Sequence, residues 1–252
     1  MEHIVEEQLK AYTAISNIAA IFSKSEGLIR PHSIITGSSG AGKSYLVEQI
    51  TKEHDLHFIE LNAAQITVEG VAGNSLSKAL APLKRCQDKP VIIFVDEFDK
   101  LLQSDGTEAS ASRSGVQDEF LKLLEAKTTS VFGEYGKYDE IKCERTLFIF
   151  AGAFGSQPIK CTSDLSRLGM KNEFLGRVGI HINVESPSIQ SILKCLQNSA
   201  LLAQYVKYSP KTVNKTKALK DIGNIITNKH KELNLGLRLI NSSIHAYFLE
   251  LH

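Results

Sequence analysis

The residues best suited to chemistry in this 252-residue sequence lie in one glycine-rich stretch, from Gly37 to Ser44. The stretch satisfies the pattern G-x-x-x-x-G-K-[ST], in which glycines let backbone N–H groups curl around a phosphate. Lys43 would supply positive charge to the β- and γ-phosphates, and the Ser44 hydroxyl would ligate Mg²⁺. The helix that follows directs its positive dipole end at the anion. We expect a nucleotide site formed by Gly37, Ser38, Ser39, Gly40, Ala41, Gly42, Lys43, Ser44 and Tyr45.

Two acidic residues, Asp96 and Glu97, follow the apolar run from Val91 to Val95. Such a run without alternation is typical of a central parallel strand that is covered on both faces. Ligands bind at the carboxyl ends of strands in open α/β sheets. We therefore expect Asp96 to hold Mg²⁺ through water and Glu97 to orient and polarise the attacking water. Two carboxylates in a solvated turn are the alternative.

The identity of the nucleotide base is inferred from the lack of a complete guanine-specificity pattern. The N-K-x-D pattern is typical of guanine specificity, but Asn228-Lys229-His230 is followed by Lys231. Adenine is therefore favoured, and ATP with Mg²⁺ is the expected cofactor.

The spacing of apolar residues indicates the elements that position these side chains. Residues 5–22 carry apolar side chains three and four apart, which predicts an amphipathic helix. Strands are expected at 33–36, 57–61, 91–95, 146–150 and 179–184, with helices at 45–52, 74–86 and 115–126. Strands that alternate with helices predict an α/β fold with a five-stranded parallel sheet and right-handed crossovers.

After Pro187 the strand pattern stops, and helices are expected at 188–203, 212–230 and 236–251. We place the boundary near Glu185 to Pro187, with a large nucleotide-binding α/β domain at 1–186 and a small helical lid domain at 187–252. Two segments rich in polar or small residues, 104–114 and 129–144, are expected to be mobile loops.

Composition excludes several classes of protein. Lys and Arg number 29 against 28 Asp and Glu, so no global positive charge indicates nucleic acid. No apolar run approaches the roughly 20 residues of a membrane span, and the acidic start does not match a signal peptide. The four cysteines form no C-x-x-C pair, and buried reduced thiols are expected. We expect a cytoplasmic protein with no membrane partner.

The phosphate loop and the string Phe94-Val95-Asp96-Glu97-Phe98-Asp99-Lys100 resemble those of AAA+ ATPases, in particular the Clp/HslU (ClpX-like) unfoldase branch. The resemblance covers nearly the whole chain, in the family's order, through 114–117, 121–125, 147–154, 173–177 and 236–238. It implies an AAA+ P-loop core, a helical lid, and a hexamer or similar ring or arc with ATP between subunits.

The resemblance also assigns roles to two arginines. Arg177 matches the arginine finger that stabilises charge on the γ-phosphate of a neighbouring subunit, and a surface arginine at a strand entrance is the alternative. Arg238 matches a sensor arginine of the lid. The family's G-A-R-G-L-R string, however, places Leu235 where its first arginine stands, so the register of this sensor stays open between Leu235 and Arg238.

Several positions depart from the family's pattern. Ile4 and Val5 occupy its adenine-side hydrophobic box, but Glu7 replaces the usual glycine. Ala151 stands at a sensor position where many members have a polar residue. The pore loop usually reads aromatic-hydrophobic-glycine, whereas Gly70-Val71-Ala72-Gly73 has Val71 at the aromatic position, so a weaker grip on a polypeptide is expected.

Two accessory segments of the family are also not expected in this chain. The segment between Phe154 and Glu173 is too short for the loop that docks a ClpX-type ring on its peptidase, so peptidase docking is not expected. A zinc-binding N-terminal domain before residue 1 is not expected. The expectation is an AAA+ core without the modules of a proteolytic machine.

The segment from Lys207 to Lys231 carries seven lysines against one acid, Asp221. It could follow nucleic-acid phosphates, although it lacks the interleaved arginines and aromatics of single-strand binders. A solvated face of a lid helix is the alternative.

These observations favour an oligomeric ATPase that remodels a protein or a protein–nucleic-acid assembly. A nucleic-acid-associated AAA+ ATPase, such as a helicase, a clamp loader or a transposition-type regulator, is the first alternative. A slow-hydrolysing, nucleotide-gated assembly scaffold is the second, and a monomeric small-molecule kinase ranks last. The protein partner is not identified by the sequence.

Overall fold

The computed structural model describes residues 4–68, 74–102, 108–133, 136–155, 159, 161–209, 212–232 and 235–249. The strands are β1 (Ser33–Thr36), β2 (His57–Asn62), β3 (Ile66–Thr67), β4 (Asn74–Ser75), β5 (Val91–Asp96), β6 (Thr128–Phe132), β7 (Tyr138–Lys142), β8 (Thr146–Gly152) and β9 (Ile180–Asn183). The α-helices are α1 (Leu9–Lys24), α2 (Lys43–Glu53), α3 (Leu76–Ala79), α4 (Glu108–Glu125), α5 (Thr162–Arg167), α6 (Asn172–Arg177), α7 (Ile189–Gln197), α8 (Ala200–Tyr208), α9 (Lys215–Glu232) and α10 (Arg238–Leu249). Short 3₁₀ helices lie at Glu6–Gln8, Ala63–Gln65, Ala81–Arg85 and Phe98–Leu102.

The predicted five-stranded parallel sheet is confirmed, in the order β2-β5-β8-β1-β9. Its central strands β5 and β8 are buried along almost their whole length, as expected for strands covered on both faces. Because all five strands are parallel, the carboxyl ends of β1, β2 and β5 meet at one edge of the sheet. That edge is where open α/β sheets bind ligands.

A cluster of aromatic rings fixes the end of β5. Phe98, which follows the acidic pair directly, is fully buried and packs on Phe150 and Phe174 at ring-centroid distances of 4.7 and 5.1 Å. Phe120 of α4 meets Phe150 edge-on at 5.5 Å. The chain at Glu97 is therefore held between a buried strand and a buried ring.

Two segments expected to be loops are in part regular structure. Within 129–144, β6 and β7 form an antiparallel hairpin, in which Val131 is buried and Phe132 contacts Tyr138 edge-on. The prediction was wrong there because most of the hairpin is exposed and its polar sequence lacks a clear alternation. Within 104–114, α4 already begins at Glu108, while residues 103–107 lie outside the described part of the chain.

The helix predicted at 74–86 is broken into shorter elements. Pro82 stands in the first turn of the 3₁₀ helix Ala81–Arg85, where its missing N–H and fixed φ stop the preceding α3 from continuing. The helix predicted at 188–203 is likewise two helices. Each begins at a serine cap, since the Ser188 hydroxyl accepts from N of Ser191 and the Ser199 hydroxyl accepts from N of Leu202.

The chain divides into two compact units. The sheet unit comprises the described residues of Ala11–Gly37 and Lys43–Asn183, and the helical unit comprises those of Met1–Lys10, Ser38–Gly42 and Val184–His252. The helical unit has its own core, in which residues such as Ile192, Ile222 and Ile244 are fully buried. The domain boundary near Glu185 to Pro187 stays a prediction.

No helix among the described residues is long and apolar enough to cross a membrane. The four cysteines carry free thiols; Cys143 is buried, as expected, whereas Cys161 is exposed.

Candidate nucleotide-binding site

The phosphate loop starts from an anchored strand end. The buried hydroxyl of Thr36, the last residue of β1, lies 2.8 Å from Nε2 of His181 and 3.2 Å from Oδ1 of Asn183, both on β9. Nζ of Lys43, at the start of α2, donates to the carbonyl oxygen of Gly37 at 2.7 Å. Lys43 is only 9% exposed. The ammonium group is thus held at the mouth of the loop, where the pattern places it for the phosphates.

Ser44, the predicted Mg²⁺ ligand, has a carboxylate neighbour that sequence reasoning missed. Its side chain hydrogen-bonds the carboxylate of Glu60, on β2. Burial, followed by the nearby charges of Asp96 and Glu48, raises the pKa of Glu60, and the bond from Ser44 opposes this shift. Glu60 therefore lies within electrostatic reach of Ser44 and of Asp96, the two predicted metal ligands.

The predicted catalytic carboxylate is fixed by an asparagine. Oε2 of Glu97 accepts a hydrogen bond from Nδ2 of Asn62 at 3.1 Å, and Oδ1 of Asn62 in turn accepts from N of Ala64 at 2.9 Å. Asn62 ends β2 directly opposite Asp96, which ends β5. Oδ1 of Asp96 accepts from the backbone N–H of Glu97 at 2.8 Å. Both acidic side chains are therefore held in defined positions at the carboxyl edge of the sheet.

The backbone at Glu97 is in an uncommon conformation. Its φ is +56°, in the left-handed region that residues other than glycine rarely occupy. Such a conformation persists only where the surrounding structure enforces it, and it occurs often at functional sites. Here the buried strand before Glu97 and the buried ring of Phe98 after it supply that constraint.

Within the helical unit, the tip of the phosphate loop is engaged by several groups. N of Leu237 donates to O of Gly40 at 3.0 Å, and Nε2 of Gln8 donates to O of Ala41 at 2.5 Å. A Cβ at Gly40 would lie 2.0 Å from O of Leu235, so only glycine fits there. The hydroxyl groups of Ser38 and Ser186 are 2.6 Å apart.

The predicted lid and adenine-side residues also lie within this unit. Nη1 of Arg238 donates to Oγ of Ser39 at 2.9 Å, which brings this predicted sensor to the phosphate loop. Leu235, its alternative, is 39% exposed and offers only its backbone to the loop. Val5 is buried and Ile4 is half-buried.

Glu7, at the position of the family's glycine, contacts the start of α7. Its Oε1 accepts from N of Ser188 at 2.8 Å, and both of its carboxylate oxygens accept from Oγ of Ser191. Burial alone would raise the pKa of Glu7, but the hydrogen bonds from Ser188 and Ser191 lower it to about 2. Glu7, where the family has glycine, therefore adds hydrogen bonds between the N-terminal segment and the start of α7.

The predicted arginine finger is engaged within its own chain. Nε of Arg177 donates to Oε1 of Glu125 at 2.5 Å, and Nη1 donates to O of Glu173 at 3.3 Å. Hydrogen bonding from Arg177 lowers the pKa of Glu125. Among the described residues, the polar contacts of Arg177 are with these two residues and not with the predicted nucleotide-binding side chains.

The structure therefore brings Ser44 and Asp96 to one neighbour, Glu60, and places Glu97 beside Asp96. Asn62 and Glu60 could have been suspected, because polar residues on the strand beside β5 lie near its acidic end. Ala151 is fully buried within β8 and offers no polar side chain. The pore-loop string Gly70-Val71-Ala72-Gly73 lies outside the described residues.

The donor set fits Mg²⁺ rather than a metal held by the protein alone. Within the described residues no group of three or more His, Cys, Asp or Glu side chains could hold a metal ion. Mg²⁺ commonly uses one or two protein ligands and completes its shell with substrate phosphates and water. Ser44 and Asp96 offer that set.

A phosphate loop between β1 and α2, with an acidic pair at the end of the buried strand β5, defines a P-loop protein of the α/β class. Residues 33–174 match the model of the family described as "ATPase family associated with various cellular activities (AAA)". The chain belongs to this AAA family, and the resemblance to AAA+ ATPases is confirmed.

The relatives are Clp-type ATPases. The chain is 25% identical over 266 residues to the "ATP-dependent Clp protease ATP-binding subunit ClpX" of Bacteroides fragilis, and 25% identical over 265 residues to that of Porphyromonas gingivalis. Each alignment covers 86% of this chain and 64% of the relative, so the chain spans a little under two thirds of their length. It is 37% identical over 118 residues to the "ATP-dependent protease ATPase subunit ClpY" of Bacillus pumilus, covering 45% of this chain and 22% of the relative.

Proposed function

We propose that this chain binds ATP with Mg²⁺ and hydrolyses it to ADP and phosphate. The observation that carries the proposal is the geometry at the end of β5, where Asn62 and the backbone fix Glu97 next to Asp96. Lys43 neutralises charge on the β- and γ-phosphates. Ser44 directly and Asp96 through water would hold Mg²⁺, whose charge would offset that of the phosphates. Glu97 accepts a proton from the water that attacks the γ-phosphorus.

We further propose that several copies assemble into a ring or arc that remodels a protein or a protein–nucleic-acid assembly. Two features support assembly: the relationship to ClpX and ClpY, and the position of Arg177 at the end of α6, just before the final strand of the sheet. An exposed ion pair such as Arg177–Glu125 contributes little to stability, so a phosphate could replace Glu125 as the partner of Arg177.

The experiment that tests the activity compares wild type with two variants. Lys43→Ala should abolish nucleotide binding, because the phosphates lose their principal side-chain cation. Glu97→Gln should bind ATP but turn over at least ~100-fold more slowly, the usual scale for losing a general base. Binding is measured with a fluorescent ATP analogue, and turnover is measured by phosphate release.

Three outcomes are informative. Equal turnover by wild type and Glu97→Gln would contradict the assignment of Glu97. Tight ATP binding with very slow wild-type turnover would favour the nucleotide-gated scaffold. In a pull-down, the ATP-trapping Glu97→Gln variant should retain the protein partner. Lys43→Ala, the matched control, should not retain it.

A second candidate function, association with nucleic acid, is favoured by one face of α9. Three lysines and two asparagines are exposed along it, at spacings of three and four: Lys217, Lys220, Asn224, Asn228 and Lys231. Asp221, the acid within this stretch, hydrogen-bonds Tyr247. Residues 184–252 carry nine Lys or Arg against four Asp or Glu, a net charge of +5, whereas the remaining residues carry −4. A local positive face of this kind suits a phosphate backbone.

A further inference from the structure

We propose that Gln8 is a positioning residue of the phosphate loop, which orients the Ala41–Gly42 peptide so that the N–H of Gly42 faces the bound phosphates. The inference rests on the proposed binding of ATP and names a residue that acts on that site through the backbone. Gln8 lies in the 3₁₀ helix Glu6–Gln8, directly after the position where Glu7 replaces the family's glycine, and carries no charge.

The Gln8 side chain is buried and uses both ends of its carboxamide. It is 1% exposed. Nε2 donates to O of Ala41 at 2.5 Å, and Oε1 accepts from N of Val5 at 3.4 Å. A buried amide without partners would be costly, so these two bonds determine where the side chain lies. One carboxamide therefore joins the predicted adenine-side segment to the tip of the phosphate loop.

The geometry of the peptide bond carries the effect of Gln8 to Gly42. A trans peptide unit is planar, and its C=O and N–H point in opposite directions. No cis peptide bond occurs in the described residues. Because Gln8 holds the Ala41 oxygen on one side, the N–H of Gly42 points to the other. In a phosphate loop the backbone N–H groups on that side cradle the α- and β-phosphates.

A close approach between Gln8 and Gly42 supports the same assignment. The φ of Gly42 is +88°, and a Cβ at this position would lie 2.7 Å from Nε2 of Gln8. The glycine therefore leaves the space that the Gln8 amide occupies. The side chain and the loop fit each other closely, so replacement of Gln8 should alter the loop locally.

The backbone that carries Gln8 is itself fixed. The neighbouring Glu7 accepts hydrogen bonds from N of Ser188 and from Oγ of Ser191. These groups lie at the start of α7, within the same compact unit as Gln8 and the loop tip. Gln8 is therefore a fixed support for the loop.

The test replaces the carboxamide and compares ligands with and without phosphates. Gln8→Met keeps the length and apolar volume of the side chain but cannot hold the Ala41 oxygen. Affinity for ADP and ATP should fall about tenfold, the scale of one hydrogen bond to a charged group, while affinity for adenosine stays unchanged. Affinities are measured by displacement of a fluorescent ADP analogue, with adenosine as one of the competitors.

Thr51→Val provides the matched control. Oγ1 of Thr51 is a buried donor to O of Val47, within α2, so this variant also loses a buried bond from a side chain to the backbone. It should lower the thermal midpoint of the nucleotide-free protein without changing the ratio of ADP to adenosine affinity. Gln8→Leu, which is also uncharged and cannot donate to the Ala41 oxygen, repeats the comparison if Gln8→Met folds poorly.

The outcomes separate this inference from the proposed function. An equal loss of ADP and adenosine affinity in both Gln8 variants would overturn it, since Gln8 would then support the N-terminal segment in general. Unchanged affinity for every ligand would overturn it as well. If wild type binds neither ADP nor ATP, the proposed function itself fails.

Discussion

At the scale of single residues, a buried histidine outside the nucleotide site links the stability of the fold to pH. His32 precedes β1 and is 7% exposed. Its Nδ1 accepts from N of Phe148 at 3.0 Å. Burial, and then the charge of Arg30, lower the pKa of His32 to about 4, against weaker opposing hydrogen bonds to the backbone of Leu124 and Phe148. The folded protein therefore keeps this ring neutral at pH values where the unfolded chain protonates it.

We predict that wild type loses about 2 kcal/mol of stability through His32 between pH 7 and pH 5. The unfolded ring titrates near pH 6.5 and the folded ring near 4, so the stability is present above pH 6.5 and is lost as pH falls towards 4. His32→Asn keeps an acceptor for N of Phe148 and should be less stable at pH 7 but depend less on pH. Urea unfolding at both pH values measures this difference; parallel curves for the two proteins would contradict it.

Some residues of the candidate nucleotide site can be predicted from the sequence, and others cannot. Lys43 and Ser44 follow from local spacing, because the phosphate loop is a continuous stretch of backbone. Asn62 and Gln8 do not, because their roles depend on contacts with residues more than thirty positions away. An asparagine at a strand end and a glutamine in a charged N-terminal segment are common in proteins. Only the fold brings these two to Glu97 and Ala41.

At the scale of elements, α9 offers a test of the nucleic-acid hypothesis. The apolar side of this helix is buried through Ala218, Ile222 and Ile226, so the lysines of the opposite side are fixed in direction although they are exposed. Lys217 to Lys231 spans about 21 Å along the helix axis. Lys211, which belongs to the same positive segment of the sequence, lies outside the described residues.

We predict that joint charge reversal of Lys217, Lys220 and Lys231 weakens binding to duplex DNA and flattens its salt dependence. Each lost phosphate contact should reduce the log-log slope by roughly 0.9, so three contacts should remove nearly three units. Reversal of three exposed lysines elsewhere, Lys24, Lys122 and Lys127, changes the net charge equally and is the matched control. Equal effects of the two triple variants, or no DNA binding by wild type at low salt, would contradict the nucleic-acid hypothesis. The lysine face of α9 would then be an ordinary solvent-exposed helix face.

Element boundaries were predictable where burial dominates. The strands at 33–36 and 91–95 agree with β1 and β5 because a continuous apolar run has few alternatives to a buried strand. The helix expected at 74–86 failed because Pro82 interrupts backbone hydrogen bonding, which a pattern of apolar residues does not reveal. The hairpin β6–β7 was missed because its pairing satisfies the backbone with little burial, and burial is what the apolar pattern reports.

At the scale of the whole molecule, the described polar contacts of Arg177 are with Glu125 and with the carbonyl oxygen of Glu173, within its own chain. If the proposed ring or arc forms, catalysis would be shared between subunits. An arginine finger supplied by a neighbour accelerates the best-studied phosphoryl transfers by roughly 10³ to 10⁵. A shared site predicts that two inactive variants can complement each other.

We predict that Arg177→Ala retains ATP affinity but loses most turnover, and that mixing it with Glu97→Gln partly restores activity. Some interfaces of the mixture would pair an intact Glu97 with an intact Arg177, because each variant keeps what the other lacks. Phosphate release by the mixture is compared with release by each variant alone. Glu125→Ala, which frees the guanidinium, is the control and should keep turnover. Inactive mixtures of subunits that demonstrably co-assemble would exclude a shared site.

The left-handed backbone at Glu97 has a consequence for selecting variants of this chain. Glycine adopts φ near +56° without strain, so Glu97→Gly would relieve a penalty on the order of 1 kcal/mol in the folded state. The same change removes the carboxylate assigned to the attacking water. Thermal robustness and the proposed ATP turnover therefore favour different residues at this position, and we expect a library sorted by heat resistance alone to be enriched in variants without that turnover.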